Sequence, residues 1–236
     1  HNEDIDIEAG ISDQEVDYLL KAFNSQFPSN TLNRSDVLST WAGVRPVIGA
    51  EKSKDPSKER RDHAVWSDNG LITVSGGKLT TFRLIALDTL AAAKDNLPAA
   101  KDISDDRVFL TPAITAKALS PENTSWAQRL LGRYGDKAID LVNESSPDER
   151  HNLNETEFSL AECRWAIKYE AVEHLDDLLL RRTRLGMCLP YGGRNLYPAL
   201  KELFLSNQNW DDERWQQEVT RYETIWTKYY SLPSNV

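Results

Sequence analysis

The chain has only two cysteines, Cys163 and Cys188, among 236 residues. That argues against a disulfide scaffold and fits a reducing compartment. Positive charge is also in deficit. The formal net charge is −9, whereas a nucleic-acid binder shows a basic footprint. No apolar run approaches the length of a membrane span. There is no G-x-S-x-G elbow, Walker loop or H-E-x-x-H motif. His1, His151 and His174 stand at no metal-ligand spacing from the cysteines, so no metal site is expected. Internal repeats and low-complexity tracts are absent. The chain opens His1-Asn2-Glu3-Asp4, without an initiator methionine, a signal peptide or a transit pattern. It reads as a piece of something longer.

What is present suits a globular protein: 40% of residues are apolar, and the length allows one large domain or two smaller ones. The most informative stretch is Gly76-Gly77-Lys78-Leu79-Thr80-Thr81-Phe82-Arg83, which follows the short apolar run Leu71-Ile72-Thr73-Val74. It reads as a strand, a glycine turn and the first turn of a helix. A helix N-terminus carries unpaired N–H groups and partial positive charge, which acids in the first turn usually offset. Here there is no acid, and Lys78 stands in that place. The mismatch makes sense opposite something electron-rich, such as a phosphate, a carboxylate or the oxygen-bearing edge of a cofactor ring. Paired glycines also let backbone approach a ligand closely. An ordinary tight turn with an exposed lysine fits these eight residues equally well.

Two halves are expected. Residues 1–99 mix helix and strand signals. Ser12-Asp13-Gln14-Glu15 is a capping box, with Val16, Leu19, Leu20 and Phe23 following at helical spacing until Pro28. A second short helix is predicted from Asn33 to Gly43, with Val37 and Trp41 on one face. Gly43–Ile48 then looks extended, and residues 51–61 read as a charged loop. Asp62–Trp66 and Leu71–Ser75 look like a strand pair around the turn Ser67-Asp68-Asn69-Gly70. The helix opened by Gly76-Gly77 is predicted to run to about Leu97.

Residues 103–236 carry almost no strand signal. Ser120-Pro121 reads as a helix start, Asp136–Val142 as a short helix, and Ser159-Leu160-Ala161-Glu162 as a second capping box opening a helix to about Ala171. His174–Arg182 is strongly helical in pattern. Trp215, Val219, Tyr222, Trp226 and Tyr229 form a single stripe at spacings of four and three, which reads as core rather than as a cofactor box. The boundary is expected near residues 98–104.

Several charged residues are candidates for chemistry. Arg45 lies in an extended apolar segment, where a buried arginine needs an anionic partner. It is either a fork for a phosphate or carboxylate or the partner of a local acid, the latter slightly favoured by the residues alone. One of Arg60 and Arg61 points to the same anion, or both lie on a solvated charged loop, the latter favoured by the residues alone. His63 is a candidate for proton chemistry, but a lone strand histidine is more often structural. Arg181-Arg182-Thr183-Arg184 reads as helix capping with salt bridges to Asp176, Asp177 or Glu173.

Four segments taken together carry a family resemblance. Ser39-Thr-Trp-Ala-Gly-Val-Arg-Pro46, Ser57-Lys-Glu-Arg-Arg-Asp-His63, Gly70-Leu-Ile-Thr-Val-Ser-Gly-Gly-Lys-Leu-Thr-Thr-Phe-Arg83 and Asp177-Leu-Leu-Leu-Arg-Arg-Thr-Arg-Leu185 closely resemble the FAD-dependent glycerol-3-phosphate dehydrogenases. The resemblance covers essentially the whole chain but only the C-terminal part of that enzyme, because the glycine-rich G-x-G-x-x-G fingerprint for the ADP half of FAD is absent. It implies an α+β chain: a remnant of an FAD-binding and substrate domain over 1–99, then an all-α helical domain over 103–236. It further implies Arg45 and Arg61 as substrate-phosphate contacts, with Arg60 an alternative register. Lys78 is implied as a catalytic residue beside the flavin, with Gly76, Gly77, Lys78, Leu79 and Thr80 along the cofactor edge. The implied parent oxidises sn-glycerol 3-phosphate to dihydroxyacetone phosphate through FAD and a quinone. It lies in the cytoplasm or against the cytoplasmic face of the membrane. The fragment alone is expected to hold no FAD and to need the remainder of the polypeptide, and a homodimer through the first half is compatible with its unpaired strand edges. A glycerol-3-phosphate oxidase that uses O2 and a non-catalytic helical interaction module are the alternatives.

Overall fold

A computed structural model describes residues 8–44, 62–97, 113–154 and 156–233. These fall into two compact units, residues 1–43 with 110–236 and residues 44–109. The division expected near 98–104 lies outside the described residues, and the first 43 residues group with the helical half. Hydrogen bonds show why. The Ser39 hydroxyl donates to the Met187 carbonyl at 2.8 Å, the Thr40 N–H donates to the Tyr230 carbonyl at 2.8 Å, and the Thr40 hydroxyl donates to the Ser231 carbonyl at 2.9 Å. The α+β class holds: the described residues are mostly helical and contain a single two-stranded sheet.

In the helical unit, α1 (Asp13–Gln26) starts as its sequence dictates. Ser12 Oγ accepts from the Glu15 N–H, and the Glu15 carboxylate accepts from the Ser12 N–H at 2.9 Å. That contact holds the exposed Glu15 carboxyl below its ordinary pKa. The helix predicted over 33–43 shrinks to one 3-10 turn, Arg34–Asp36, capped by Asn33. Beyond it the chain is not helical, because Ser39 and Thr40 use their hydrogen-bonding groups on the far end of the sequence.

The remaining helices of this unit are α3 (Ala116–Leu119), α4 (Thr124–Tyr134), α5 (Lys137–Glu144), α6 (Leu160–Tyr169), α7 (Leu185–Cys188), α8 (Tyr197–Asn207) and α9 (Asp212–Tyr229). The predicted start at Ser120-Pro121 moves to Asn123. Ser120 instead closes α3 through its N–H, and the Asn123 side chain accepts from the Trp126 N–H at 3.2 Å. Helix α6 divides two cores. Ala161 and Trp165 pack with Trp126, Leu130 and Leu141, whereas Cys163, Ala166 and Ile167 pack with Leu178, Leu200, Phe204 and Tyr222.

Its capping residue Glu162 is fully buried, yet satisfied. The Ser159 N–H and hydroxyl reach it at 3.0 and 3.1 Å, and the Arg129 guanidinium at 2.7 Å. The run predicted helical over 174–182 becomes a π-helical segment at Asp177–Arg182. Thr183 closes it by directing both its N–H and its hydroxyl to the Leu178 carbonyl. The aromatic stripe on α9 is core: Trp215, Val219 and Tyr222 are buried, and Trp226 donates its indole N–H to the Gly186 carbonyl at 2.8 Å.

The second unit, as described, is a hairpin and a helix. Strands β1 (His63–Asp68) and β2 (Leu71–Gly76) pair antiparallel, from His63 opposite Gly76 to Asp68 opposite Leu71. The turn residues Asn69 and Gly70 both have positive φ, 50° and 85°, as a two-residue hairpin turn of this hand requires. Helix α2 (Phe82–Ala93) follows and is extended by a 3-10 turn at Lys94–Asn96, so the predicted end near Leu97 holds. Of the predicted extended segment Gly43–Ile48, residues 45–48 lie outside the described residues.

Candidate functional site

The Gly-Gly-Lys turn is built by the end of β2. Gly76 and Gly77 take φ of 78° and 86°, a conformation open to glycine and strained for other residues. Gly77 is also hemmed in. A Cβ there would lie 2.5 Å from Ile85 Cδ1 and 3.2 Å from His63 Cβ. The glycine thus lets strand and helix close on each other. His63 reinforces that closure with a 2.7 Å hydrogen bond from its ring nitrogen Nε2 to Asp88 on α2. The structural reading of this histidine is the one the geometry bears out.

Lys78 is extended, with φ −129° and ψ 151°, and precedes a single 3-10 turn, Leu79–Thr81, before α2 begins at Phe82. The helix proper therefore starts four residues after the lysine. Thr81 ties the turn together. Its hydroxyl accepts from the Lys78 N–H at 3.3 Å and donates to the Lys78 carbonyl at 3.0 Å. No acid occupies the first turn. The Lys78 side chain is exposed, and no ion pair engages it among the described residues. Leu79, 87% exposed, and Phe82, 50% exposed, flank it. Among the described residues the turn thus offers an exposed ammonium without an ion pair, N–H groups with no acid in the first turn and an exposed apolar rim. That arrangement favours an electron-rich planar or anionic group.

Gly76, Gly77, Lys78, Leu79 and Thr80 are adjacent here. Arg45, Arg60 and Arg61 lie outside the described residues. Sequence reasoning missed Thr81, whose hydroxyl ties the Lys78 turn together, and Asp88, whose partner His63 is 25 positions away. The basic cluster is used structurally. Arg181 pairs with Asp176 and, at 3.3 Å, with Asp177, while Arg182 Nε donates to the Glu170 carbonyl at 2.6 Å. Among the described residues no group of His, Cys, Asp and Glu is arranged to hold a metal.

Residues 110–215 match the family of C-terminal domains of alpha-glycerophosphate oxidase. The mitochondrial glycerol-3-phosphate dehydrogenase of Bos taurus is 30% identical over 227 residues, covering 88% of this chain and 31% of that protein. The aerobic glycerol-3-phosphate dehydrogenase of Bacillus subtilis is 33% identical over 197 residues, covering 72% of this chain and 35% of that protein. The chain is related to the C-terminal part of glycerol-3-phosphate dehydrogenases. It spans about a third of the length of these curated relatives. The fold agrees with that of the glycerol-3-phosphate dehydrogenase from Bacillus halodurans, a structure solved with FAD. The TM-score is 0.63 at 24% identity, over 95% of this chain and 46% of the other. At 95% of this chain the likeness in fold takes in the hairpin–helix as well as the helical unit.

Proposed function

We propose that this chain is part of a flavoenzyme that oxidises sn-glycerol 3-phosphate to dihydroxyacetone phosphate, with Lys78 acting at the flavin. One observation carries the reading: the exposed Lys78, without an ion pair among the described residues, on a glycine turn ahead of α2, in a chain related over most of its length to such dehydrogenases. The residues present fit FAD. Gly76 and Gly77 leave the backbone bare, and Leu79 and Thr80 present N–H groups and apolar surface beside it. FAD, when bound, supplies the two-electron acceptor for the hydride that leaves the carbinol carbon, while the hydroxyl proton goes to a base outside the residues assigned here.

The protein's part is electrostatic. The Lys78 ammonium and the N–H groups at the start of the helix oppose negative charge that grows along the cofactor edge during hydride transfer. Arg45 and Arg61 are proposed to hold the substrate phosphate, which a guanidinium meets in two-pronged fashion. The electrons then pass to a quinone, which suits a parent lying against the cytoplasmic face of a membrane. No helix among the described residues is long and apolar enough to cross one. A sibling that delivers the electrons to O2 is the second reading, favoured by the oxidase-type family match over 110–215. The chain alone is proposed to be inactive and free of FAD, since it has no glycine-rich fingerprint.

Lys78→Met in the flavin-bearing parent tests the assignment. Flavin reduction followed by stopped flow should slow by at least about ten-fold, with a smaller change in substrate affinity, because the charge is met in the transition state. Reduction at the wild-type rate would remove Lys78 from the chemistry. Flavin absorbance retained by the isolated chain after gel filtration, with turnover on an artificial acceptor, would overturn the fragment reading.

A further inference from the structure

His63 opens β1 and stands opposite Gly76, the last residue of β2. It therefore lies beside the glycine pair that leads into Lys78. Its ring nitrogen Nε2 meets the Asp88 carboxylate on α2 at 2.7 Å. Asp88 follows Ile85 by three residues, which places both on one side of the helix. Ile85 is the residue that approaches Gly77 from the side opposite His63. The backbone at Gly77 is thus held between strand and helix, and the His63–Asp88 bond draws the two together.

This bond matters because packing does not fix α2. The helix has no buried side chain, so its tilt against β1 depends on individual ties. Lys78 is joined to that helix by a short, stiff path. The Thr81 N–H donates to the Lys78 carbonyl at 2.9 Å, and the Thr81 hydroxyl engages both the N–H and the carbonyl of Lys78. Phe82, the first residue of α2, follows directly. A tilt of α2 is therefore passed through one turn to the lysine backbone. The His63 side chain is 17% exposed and that of Asp88 49%. A pair so open to solvent contributes little stability, and its use is geometric.

We propose that His63 and Asp88 are positioning residues for Lys78: their bond fixes the backbone from which the ammonium is presented to the cofactor edge. The inference rests on the assignment of Lys78 to the flavin reaction given above. A charge that stabilises a transition state is effective only if it is in place beforehand, and a displacement of about 1 Å costs on the order of a hundred-fold in rate. No ion pair holds the Lys78 ammonium itself among the described residues. Its placement comes from the backbone, and the backbone is set by the glycines, by Thr81 and by the tie between His63 and Asp88.

Two measurements test this. In the 236-residue chain, nitrogen-15 relaxation should give amide order parameters of about 0.85 at Gly77 and Lys78, falling below about 0.6 in His63→Leu and in Asp88→Ala. His63→Gln, which offers a side-chain N–H where histidine offers Nε2, should restore them. A turn equally ordered or equally mobile in wild type and His63→Leu would overturn the proposal.

In the flavin-bearing parent, His63→Leu should slow flavin reduction by about ten-fold, with substrate affinity within about two-fold and the melting midpoint unchanged. His63→Gln should stay within about three-fold of wild type. Added to Lys78→Met, His63→Leu should slow reduction no further, because a residue that acts through the lysine then has nothing left to place. Losses that multiply independently would mean that the pair is only structural and would overturn the proposal. A slow Lys78→Met beside His63→Leu at the wild-type rate would overturn it while leaving the reading of Lys78 intact. Lys78→Met at the wild-type rate would remove that reading and this inference with it.

Discussion

The buried apolar side chains of the described residues all lie in the helical unit, from Val16 through Leu130, Leu178 and Phe204 to Tyr222. Residues 62–97 contain none that is buried. The two regions come from one chain, yet among the described residues only one closes a core. A lone two-stranded hairpin is marginal in water, as is a helix of twelve residues. The hairpin–helix instead keeps its geometry through local devices: the Asn69-Gly70 turn, six cross-strand pairs, the close packing at Gly77 and the His63–Asp88 bond. Its Trp66, Leu71, Leu79, Phe82 and Leu84 are exposed. Such surface is what a segment shows when its natural neighbours belong to a larger sheet. Stability resides in one region and the candidate chemistry in the other.

The contrast is most easily broken at the centre of the helical core. Phe204 is fully buried and stacks on Trp210 with centroids 4.3 Å apart. Phe204→Ala should cost about 3–5 kcal/mol in urea unfolding followed by circular dichroism. Phe82→Ala, at a half-exposed site, should cost less than about 1 kcal/mol. Losses of similar size at the two positions would mean that the hairpin–helix has a core after all.

A second test lies in the charges that tie α9 to the π-helical segment. Asp176 is buried and accepts from both Arg181 and Arg221. Burial alone would raise its pKa, but the two guanidinium hydrogen bonds outweigh that and hold it below its ordinary value. A carboxyl depressed in the folded state contributes stability above its unfolded pKa, about 3.9. That contribution is lost as pH falls through the lower folded value. Asp176→Asn should cost about 2–3 kcal/mol at neutral pH, since the arginines are half-exposed and partly solvated. It should also flatten the loss of stability below about pH 4. An acid limb identical in wild type and variant would show that other carboxylates govern it.

How far these features could be read from the sequence follows from the range of the forces involved. The boxes Ser12–Glu15 and Ser159–Glu162, the Asn69-Gly70 turn, the α9 stripe and the Gly-Gly-Lys turn are local patterns, and the structure keeps them. Several failures involve distant partners, and one a hydroxyl five residues on. Residues 37–43 have helical spacing, but Thr40 hydrogen-bonds Tyr230 and Ser231. Glu162 was legible as a cap, not as the buried partner of Arg129. Leu178 shows helical periodicity, yet its carbonyl is taken by both groups of Thr183, and the turn widens. At the candidate site the lysine and glycines were legible because their spacing is the signal. The His63–Asp88 tie was not, because nothing near His63 in sequence announces a partner on α2.

Gly77 gives a smaller and local effect. Gly77→Ala adds a Cβ at φ 86° that meets Ile85 and His63. The backbone strain is about 1–2 kcal/mol, confined to the hairpin–helix. Amide exchange should speed up in β1, β2 and the start of α2 and stay unchanged in α4, α6 and α9. Faster exchange in the helical unit would mean that the two regions unfold as one.

The smallest effect is expected at Leu79, the most exposed large apolar side chain among the described residues at 87%. Leu79→Ser should leave the stability of this chain within about 0.5 kcal/mol, since there is almost no burial to lose. In the proposed flavin-bearing parent the same substitution should matter more, because there Leu79 borders the cofactor edge and its apolar surface is covered. Flavin should dissociate faster on dilution, by about three-fold or more if a methyl or two of buried contact is lost. The two measurements together separate a residue shaped for a partner from one that is merely on the surface. A loss above about 1 kcal/mol in the isolated chain would show that Leu79 already packs within it. Unchanged flavin retention in the parent would place the cofactor away from this side of the turn.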